Sequence, residues 1–165
     1  MAETELLSTT DLKYYGKLFQ IPLIDVLSKD LFKNITPEIG GYIINLEDHI
    51  YSGSHWTTLI LTKDIAIYYD SFGGAIPQDI LQFIKRFNKK STIIYSIDVI
   101  QYKNSIYCGW FCIYQLFFML VKHKNETNYK YLLNKHNAIF SLKDTKSNDD
   151  VLKQLIKTIT DKIKI

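Results

Sequence analysis

The sequence predicts an α+β fold in which a β-sheet packs against one helix that is buried on nearly every side. The stretch from Cys108 to Val121 is apolar or aromatic almost throughout, with Gln115 as its one clearly polar residue. An exposed helix would show a polar stripe, so this stretch predicts a buried helix. Two runs rich in β-branched and aromatic residues, 56–61 and 65–69, flank a plausible tight turn and predict a β-hairpin.

Size and composition favour one domain over residues 1–165, because a chain of this length can bury a real core. The apolar content of 47% and the charged content of 22% exclude a disordered or a membrane protein. The apolar stretch is also too short for a membrane span, which needs about 20 residues. The first residues, Met1–Glu5, carry no basic or apolar leader, so we expect a protein that is not secreted.

The spacing of the cysteines and the net charge restrict the kinds of site and partner that the chain can have. The cysteines are Cys108 and Cys112, whose spacing suits neither a disulfide framework, nor a redox C-x-x-C motif, nor a zinc site. We therefore expect a reducing compartment, with no metal and no organic cofactor. The net charge of +3, from 20 basic and 17 acidic residues, permits only weak attraction to DNA.

The elements of the first third follow from caps and apolar spacing. Thr9–Asp11 is predicted to cap a short helix over 12–19, and a second short helix is predicted across Asp25–Phe32. We expect this part of the chain to lie as an arm on the core, without a chemical role. A strand is predicted over Gly40–Leu46, followed by a polar loop over 47–54.

The remaining elements surround the apolar stretch. After the hairpin, Pro77 suits the first turn of a helix that extends to Phe87. A strand follows over 92–96, which Val99–Gln101 could extend. Beyond the apolar helix, the sequence predicts a helix over 129–134 and a final amphipathic helix capped by residues 147–150.

The beginning of the apolar helix is its chemically suggestive part. A polar segment, 101–105, precedes Cys108, and Gly109 follows it, so the thiol would lie at a helix N-terminus. Unpaired N–H groups and the helix dipole favour an anion there, which makes thiolate available. Taken alone, however, a buried cysteine is more often a small packing residue.

The predicted hairpin brings a histidine and a carboxylate together. If the chain reverses near Thr62–Lys63, cross-strand partners have numbers that sum to about 125, which sets His55 opposite Asp70. A one-step slip in the turn would move the partner by two residues and still leave the two side chains within reach. Such a pair can hydrogen-bond, and the carboxylate then fixes the tautomer and favours imidazolium. Either residue alone has an ordinary explanation, as a packing histidine or as a turn cap. Gln101 could donate to the oxygen of a tetrahedral intermediate, beside the N–H of Cys108.

Three motifs then carry a family resemblance: Gly53–Trp56 (GSHW), Tyr69–Gly73 (YDSFG) and Gln101–Cys112 (QYKNSIYCGWFC). Together they resemble the adenovirus maturation protease (adenain) family, including the proteases of virophages and Maverick-type elements, and more distantly the ubiquitin-like-protein proteases. The resemblance covers about residues 40–121 and preserves the family's order of His, acid, Gln and Cys. It implies a papain-like cysteine protease fold in permuted order, with a central mixed β-sheet and a buried helix that starts at the nucleophile.

The resemblance also implies roles for single residues. Cys108 would be the nucleophile, His55 the general base and acid, Asp70 the residue that orients His55, and Gln101 the oxyanion donor. Adenain carries Glu at the acid position, whereas Asp70 matches the ubiquitin-like-protein proteases and other viral members.

Two further positions concern the substrate. Trp56 matches a family position that lines a narrow substrate channel, and Gly109 would keep space open beside the nucleophile. Cys112 matches no catalytic position and is interpreted as a core residue. Adenain is activated by a peptide linked through an extra upstream cysteine, and that cysteine is missing from this sequence. Covalent peptide activation is therefore not implied.

The function implied is cleavage of viral structural (capsid) precursor proteins near small residues or Gly during virion maturation. We expect a monomer that acts on a protein substrate, without a membrane partner, in the host cytoplasm or viral factory and in the virion. One alternative is an isopeptidase or processing protease for ubiquitin-like modifiers. Others are a protein acyltransferase on the same fold, for which no basic phosphate-binding motif is visible, and a non-catalytic scaffold.

Overall fold

The computed structural model describes residues 6–48 and 55–163, and in that part of the chain five strands form one mixed sheet. Its order is β1-β2-β3-β4-β5. The central pairs β2–β3 and β3–β4 are antiparallel, whereas both outer pairs are parallel. The strands are β1 (Leu23–Ser28), β2 (Gly40–Asn45), β3 (Trp56–Leu61), β4 (Ile65–Tyr69) and β5 (Thr92–Tyr95).

Helices cover both faces of this sheet. They are α1 (Thr9–Leu18), α2 (Gln78–Phe87), α3 (Cys108–Phe117), α4 (Tyr129–Asn137) and α5 (Asn148–Ile163). Short 3₁₀ turns lie at Lys29–Asn34 and Thr145–Ser147, and a π-helical turn over Phe118–Lys122 continues α3. The predicted α+β class with a mixed sheet is therefore confirmed.

Helix α3 is the centre of the larger core. Each of its residues from Cys108 to Leu116 is buried, as the sequence predicted. It packs on the sheet face that carries Ile43, Ile60 and Ile67. The polar exception is fully buried and bonded, because the Oε1 atom of Gln115 accepts a hydrogen bond of 2.6 Å from the Thr58 hydroxyl. The sheet thus fixes the helix whose first residue is Cys108.

The opposite face of the sheet forms a second core. Tyr42 and Tyr68 alternate with the residues that face α3, and they pack with Phe83 of α2. This period-two alternation is what a sheet with both faces covered requires. Helix α2 begins at Gln78, close to the predicted start, and Pro77 is its cap and not a residue of its first turn.

Two predictions about the first third are wrong. The segment predicted as a helix over Asp25–Phe32 is mostly strand β1, which pairs in parallel with β2. Pairing with the free edge of β2 satisfies its backbone groups, and this tertiary contact overrides the local pattern. The first third is also not an arm, because β1 belongs to the sheet and Leu12 and Phe19 belong to the core.

Two boundaries also differ from the prediction. Helix α1 is capped by Ser8, whose hydroxyl accepts from the Asp11 N–H at 3.1 Å, so Thr9 already lies inside the helix. Val99–Gln101 does not extend β5. Instead, the backbone N–H groups of Ile100 and Gln101 both donate to the carbonyl of Ser71, at 2.8 and 2.9 Å.

The hairpin forms with a register different from the predicted one. Thr58 pairs with Tyr69, two residues beyond the partner expected for it. The cause lies in the turn, because the Thr62 N–H donates to the Ile65 carbonyl at 2.9 Å and moves the reversal one step along the chain. A two-residue shift keeps each side chain on its original face. Continued to the hairpin mouth, this register sets His55 opposite Phe72, with Asp70 on the diagonal.

Candidate active site

The hairpin mouth brings His55 and Asp70 into contact despite the shifted register. The Nε2 atom of His55 lies 2.7 Å from the Oδ1 atom of Asp70, whose side chain is 4% exposed. The same carboxylate oxygen accepts from the Phe72 N–H at 2.8 Å. The Phe72 ring lies 4.7 Å from the imidazole, at an interplanar angle of 32°. The hydrogen bond to Asp70 and the ring contact with Phe72 therefore both orient the imidazole.

Cys108 is a further side chain that interacts with the imidazole of His55. Burial lowers the pKa of His55, but the hydrogen bonds to Asp70 and Cys108 and their charges outweigh burial and raise it to about 9. Since Nε2 faces Asp70, Nδ1 is the nitrogen left for the sulfur. The three side chains form a chain from carboxylate to imidazole to thiol, in which the protonated imidazole is favoured at neutral pH.

Cys108 is the first residue of α3, and its side chain is buried. The first N–H groups of an α-helix have no partner within the helix, so they are available to an anion beside the sulfur. Cys112, one turn further on, is fully enclosed, and burial raises the pKa of its thiol well above the usual range. Cys112 is therefore a core residue, as the sequence predicted, whereas Cys108 lies where α3 begins.

Gly109 does not keep space open beside the nucleophile, which corrects the expectation from the sequence. A Cβ atom at this position would lie 3.0 Å from the Cβ atom of Leu7 and 3.3 Å from the Cδ2 atom of Leu12. The residues before and within α1 fill that space. The missing side chain at Gly109 therefore allows the N-terminal segment to pack directly on the start of α3.

Trp56 follows His55 at the start of β3 and is mostly buried. Its indole Nε1–H donates to the Leu7 carbonyl at 3.2 Å, which ties the N-terminal segment to the hairpin. Trp56 also lines a cavity of about 640 Å³, together with Leu7, Leu31 and Asn45. A groove thus extends from the residue next to the imidazole towards β1.

Gln101 is buried, and the hydrogen bonds of its side-chain amide fix its orientation. Its Oε1 atom accepts from the Ser71 hydroxyl at 2.6 Å, and its Nε2 atom donates to the Ser105 carbonyl at 2.9 Å. A primary amide carries two N–H bonds, so one remains for a further acceptor. Because Ser71 follows Asp70, consecutive residues hold the amide and the imidazole.

Of the four predicted catalytic residues, the structure therefore joins His55 to Asp70 by a hydrogen bond, sets Cys108 beside the imidazole, and ties Gln101 to the residue that follows Asp70. Gly53 and Ser54, from the first motif, lie outside the described residues. Reasoning from the sequence missed the contact of Phe72 with the imidazole and the bond from Ser71 to Gln101. Both residues stand in the motif that contains Asp70, so that motif was a signal for them.

Within 6–48 and 55–163, no three or more His, Cys, Asp or Glu side chains are grouped so that they could hold a metal ion. Over these same ranges, no helix combines the length and the apolar character that crossing a membrane requires.

Comparison with known proteins finds a likeness in the fold. No family model matches the sequence, and no curated protein matches it. Among solved structures, the matches include cysteine proteases, and the chain has their papain-like fold, as the sequence predicted. The ASFV pS273R protease matches with a TM-score of 0.54 at 11% identity, over 90% of this chain and 68% of that chain. The SUMO protease Ulp1 matches with a TM-score of 0.46 at 15% identity, over 92% of this chain and 81% of that chain.

Proposed function

We propose that the protein is a cysteine endopeptidase in which Cys108 is the nucleophile, His55 the general base and acid, and Asp70 the residue that orients the imidazole. The observation that carries this proposal is the position of His55, which is hydrogen-bonded to Asp70 and interacts with Cys108 at the start of a buried helix. Its support is chemical, because a thiol beside a protonated imidazole and unpaired N–H groups is an activated nucleophile.

The reaction would be acyl transfer to water in two steps. The Cys108 thiolate attacks the peptide carbonyl carbon, and the His55 imidazolium gives its proton to the departing amine, which leaves a thioester. His55, now neutral, removes a proton from water, and the resulting hydroxide attacks the thioester carbonyl. The acid product departs, and the thiolate–imidazolium pair forms again. Protons and electrons balance over the cycle without a metal or an organic cofactor.

Gln101 would stabilise the oxyanion of each tetrahedral intermediate. Its Nε2 atom has one N–H bond occupied by the Ser105 carbonyl, and the second would point at the developing charge. The backbone N–H of Cys108, at the start of α3, would be the second donor. Two donors fixed before the reaction are effective because they need no reorganisation when charge develops.

For the substrate, we propose a viral structural (capsid) precursor cut near small residues or Gly during virion maturation. The sequence resemblance to adenain supports this, as does the fold match to a viral protease, the ASFV pS273R protease. Trp56 would line the substrate channel, next to the cavity of about 640 Å³. The protein would act as a single monomeric domain over residues 1–165, in the host cytoplasm or viral factory and in the virion, with at most weak DNA binding.

The test is cleavage of a co-expressed capsid protein or of a peptide containing Gly-Gly. The wild type should cut it, and Cys108→Ala should abolish cutting. Cys112→Ala is the matched control, because it removes the buried thiol one turn further on, and it should retain activity. Loss of cutting in both variants, or retention in Cys108→Ala, would contradict the proposed nucleophile. Rapid labelling of Cys108 by a ubiquitin-like probe with an electrophilic C-terminus would instead favour an isopeptidase.

A further inference from the structure

The segment between Ile100 and α3, which carries Gln101 and leads to the nucleophile, is bonded to the start of α5. Asn148, the first residue of α5, is fully buried, and its Nδ2 atom donates to the Ile100 carbonyl at 2.8 Å. The same amide also bonds both backbone groups of Ser141, through Oδ1 and Nδ2. The position of the segment next to Gln101 is therefore set from α5, almost fifty residues away in sequence.

Ser105 is the residue of this segment that connects α5 to Gln101 through hydrogen bonds. Its hydroxyl donates to the Oδ1 atom of Asp149 at 2.8 Å and accepts from the Tyr107 N–H at 3.1 Å. Its carbonyl accepts from the Nε2 atom of Gln101 at 2.9 Å. One residue thus connects a carboxylate on α5, the residue that precedes Cys108, and the amide of Gln101.

Helix α5 makes a further contact with this segment through Lys153, which lies one turn after Asp149. Its ammonium nitrogen lies 4.9 Å from the centre of the Tyr107 ring. Asp149 is partly buried, and burial raises the pKa of its carboxyl despite the bond from Ser105 and the charge of Lys153. The neighbouring Asp150 is exposed and makes none of these contacts.

We propose that Asp149 is a positioning residue for the oxyanion donor Gln101, acting through Ser105. The proposal rests on the function proposed above, since it concerns the same site. The Ser105 carbonyl occupies one N–H of the amide and so fixes the direction of the other. The carboxylate of Asp149 holds Ser105 in place. Without it, Ser105 would move, and the free N–H of Gln101 would no longer point at the reacting carbonyl.

The kinetic test compares three variants on a Gly-Gly peptide. Asp149→Ala should lower kcat about 10-fold and leave KM within about 2-fold, because it displaces a donor that acts in the transition state. Asp149→Asn retains an oxygen that can accept from the Ser105 hydroxyl, and it should recover most of the loss. Asp150→Ala removes the same charge from the same turn without touching the segment, and it should match the wild type.

A double-mutant cycle shows whether the effect passes through Gln101. In a Gln101→Ala background, Asp149→Ala should cost nothing further, because the donor that it positions is already gone. If Asp149→Ala lowers kcat by the same factor in the Gln101→Ala background as in the wild type, the inference is overturned. An Asp149→Ala variant whose kcat equals that of the Asp150→Ala variant would also overturn it.

A spectroscopic readout separates this inference from the proposed function. The side-chain amide signals of Gln101, assigned by their loss in Gln101→Ala, should shift in Asp149→Ala and stay in place in Asp150→Ala. If the wild type cuts no peptide, the proposed function fails, and these signals alone then decide whether Asp149 positions the amide. Unchanged signals in Asp149→Ala would refute the positioning role whether or not the protein is active.

Discussion

Replacing Asp70 with Asn should move the titration of His55 to a much lower pH. In the structure, the pKa of His55 is raised from 6.5 to about 9, although burial alone lowers it, and the Asp70 carboxylate is a main cause. Each pKa unit corresponds to about 1.4 kcal/mol, so the raised pKa represents roughly 3 kcal/mol in favour of the imidazolium. An amide can keep a hydrogen bond but not the charge. We therefore expect the pKa of His55 in Asp70→Asn to fall by at least about one unit.

The assay is the pH titration of the His55 ring signals by NMR, assigned by their loss in His55→Ala. The alkaline limb of kcat/KM should move with them, because the thiolate–imidazolium pair is lost as His55 loses its proton. Asp98→Asn is the matched control, since that carboxylate accepts a hydrogen bond from Asn137 and is not among the causes of the raised pKa of His55. A His55 titration that coincides in Asp70→Asn and in the wild type would refute the orienting role of Asp70.

Two further predictions concern Gln101 and His136. Gln101→Ala should lower kcat about 10²-fold, the usual loss for one oxyanion donor, and an unchanged kcat on a Gly-Gly peptide would remove that assignment. Burial lowers the pKa of His136 from 6.5 to about 4, so between pH 6.5 and about pH 4 the protein takes up a proton when it unfolds. The free energy of unfolding should therefore fall by about 1.4 kcal/mol per pH unit as the pH decreases through that range. Urea unfolding at several pH values should show a flatter dependence of the free energy of unfolding on pH in His136→Phe than in the wild type. An equal slope in the two proteins would contradict the prediction.

The features that the sequence predicted correctly are those encoded locally. The strands of the hairpin and the buried helix follow from runs of residue types that need no knowledge of distant neighbours. The proximity of His55 and Asp70 follows from the hairpin as well, because a two-residue error in register leaves both on one face. The register itself was wrong because it depends on which backbone groups near Thr62 bond to each other.

The features that the sequence could not predict depend on distant partners. Strand β1 forms because its backbone can hydrogen-bond to the edge of β2, and nothing in its local pattern distinguishes it from a helix turn. The contact between Ser105 and Asp149 joins residues that are 44 positions apart. The filling of the space beside Gly109 by Leu7 is equally non-local. Such contacts are fixed by packing of the whole chain, which residue patterns do not describe.

The adjacency of Asp70 and Ser71 has a mechanical consequence. One residue holds the imidazole through its carboxylate, and the next holds the amide of Gln101 through its hydroxyl. A small displacement of the end of β4 would therefore move the imidazole of His55 and the amide of Gln101 in the same direction. Their spacing would then be preserved while the chain fluctuates, so the proposed general base and the proposed oxyanion donor would keep their relative positions.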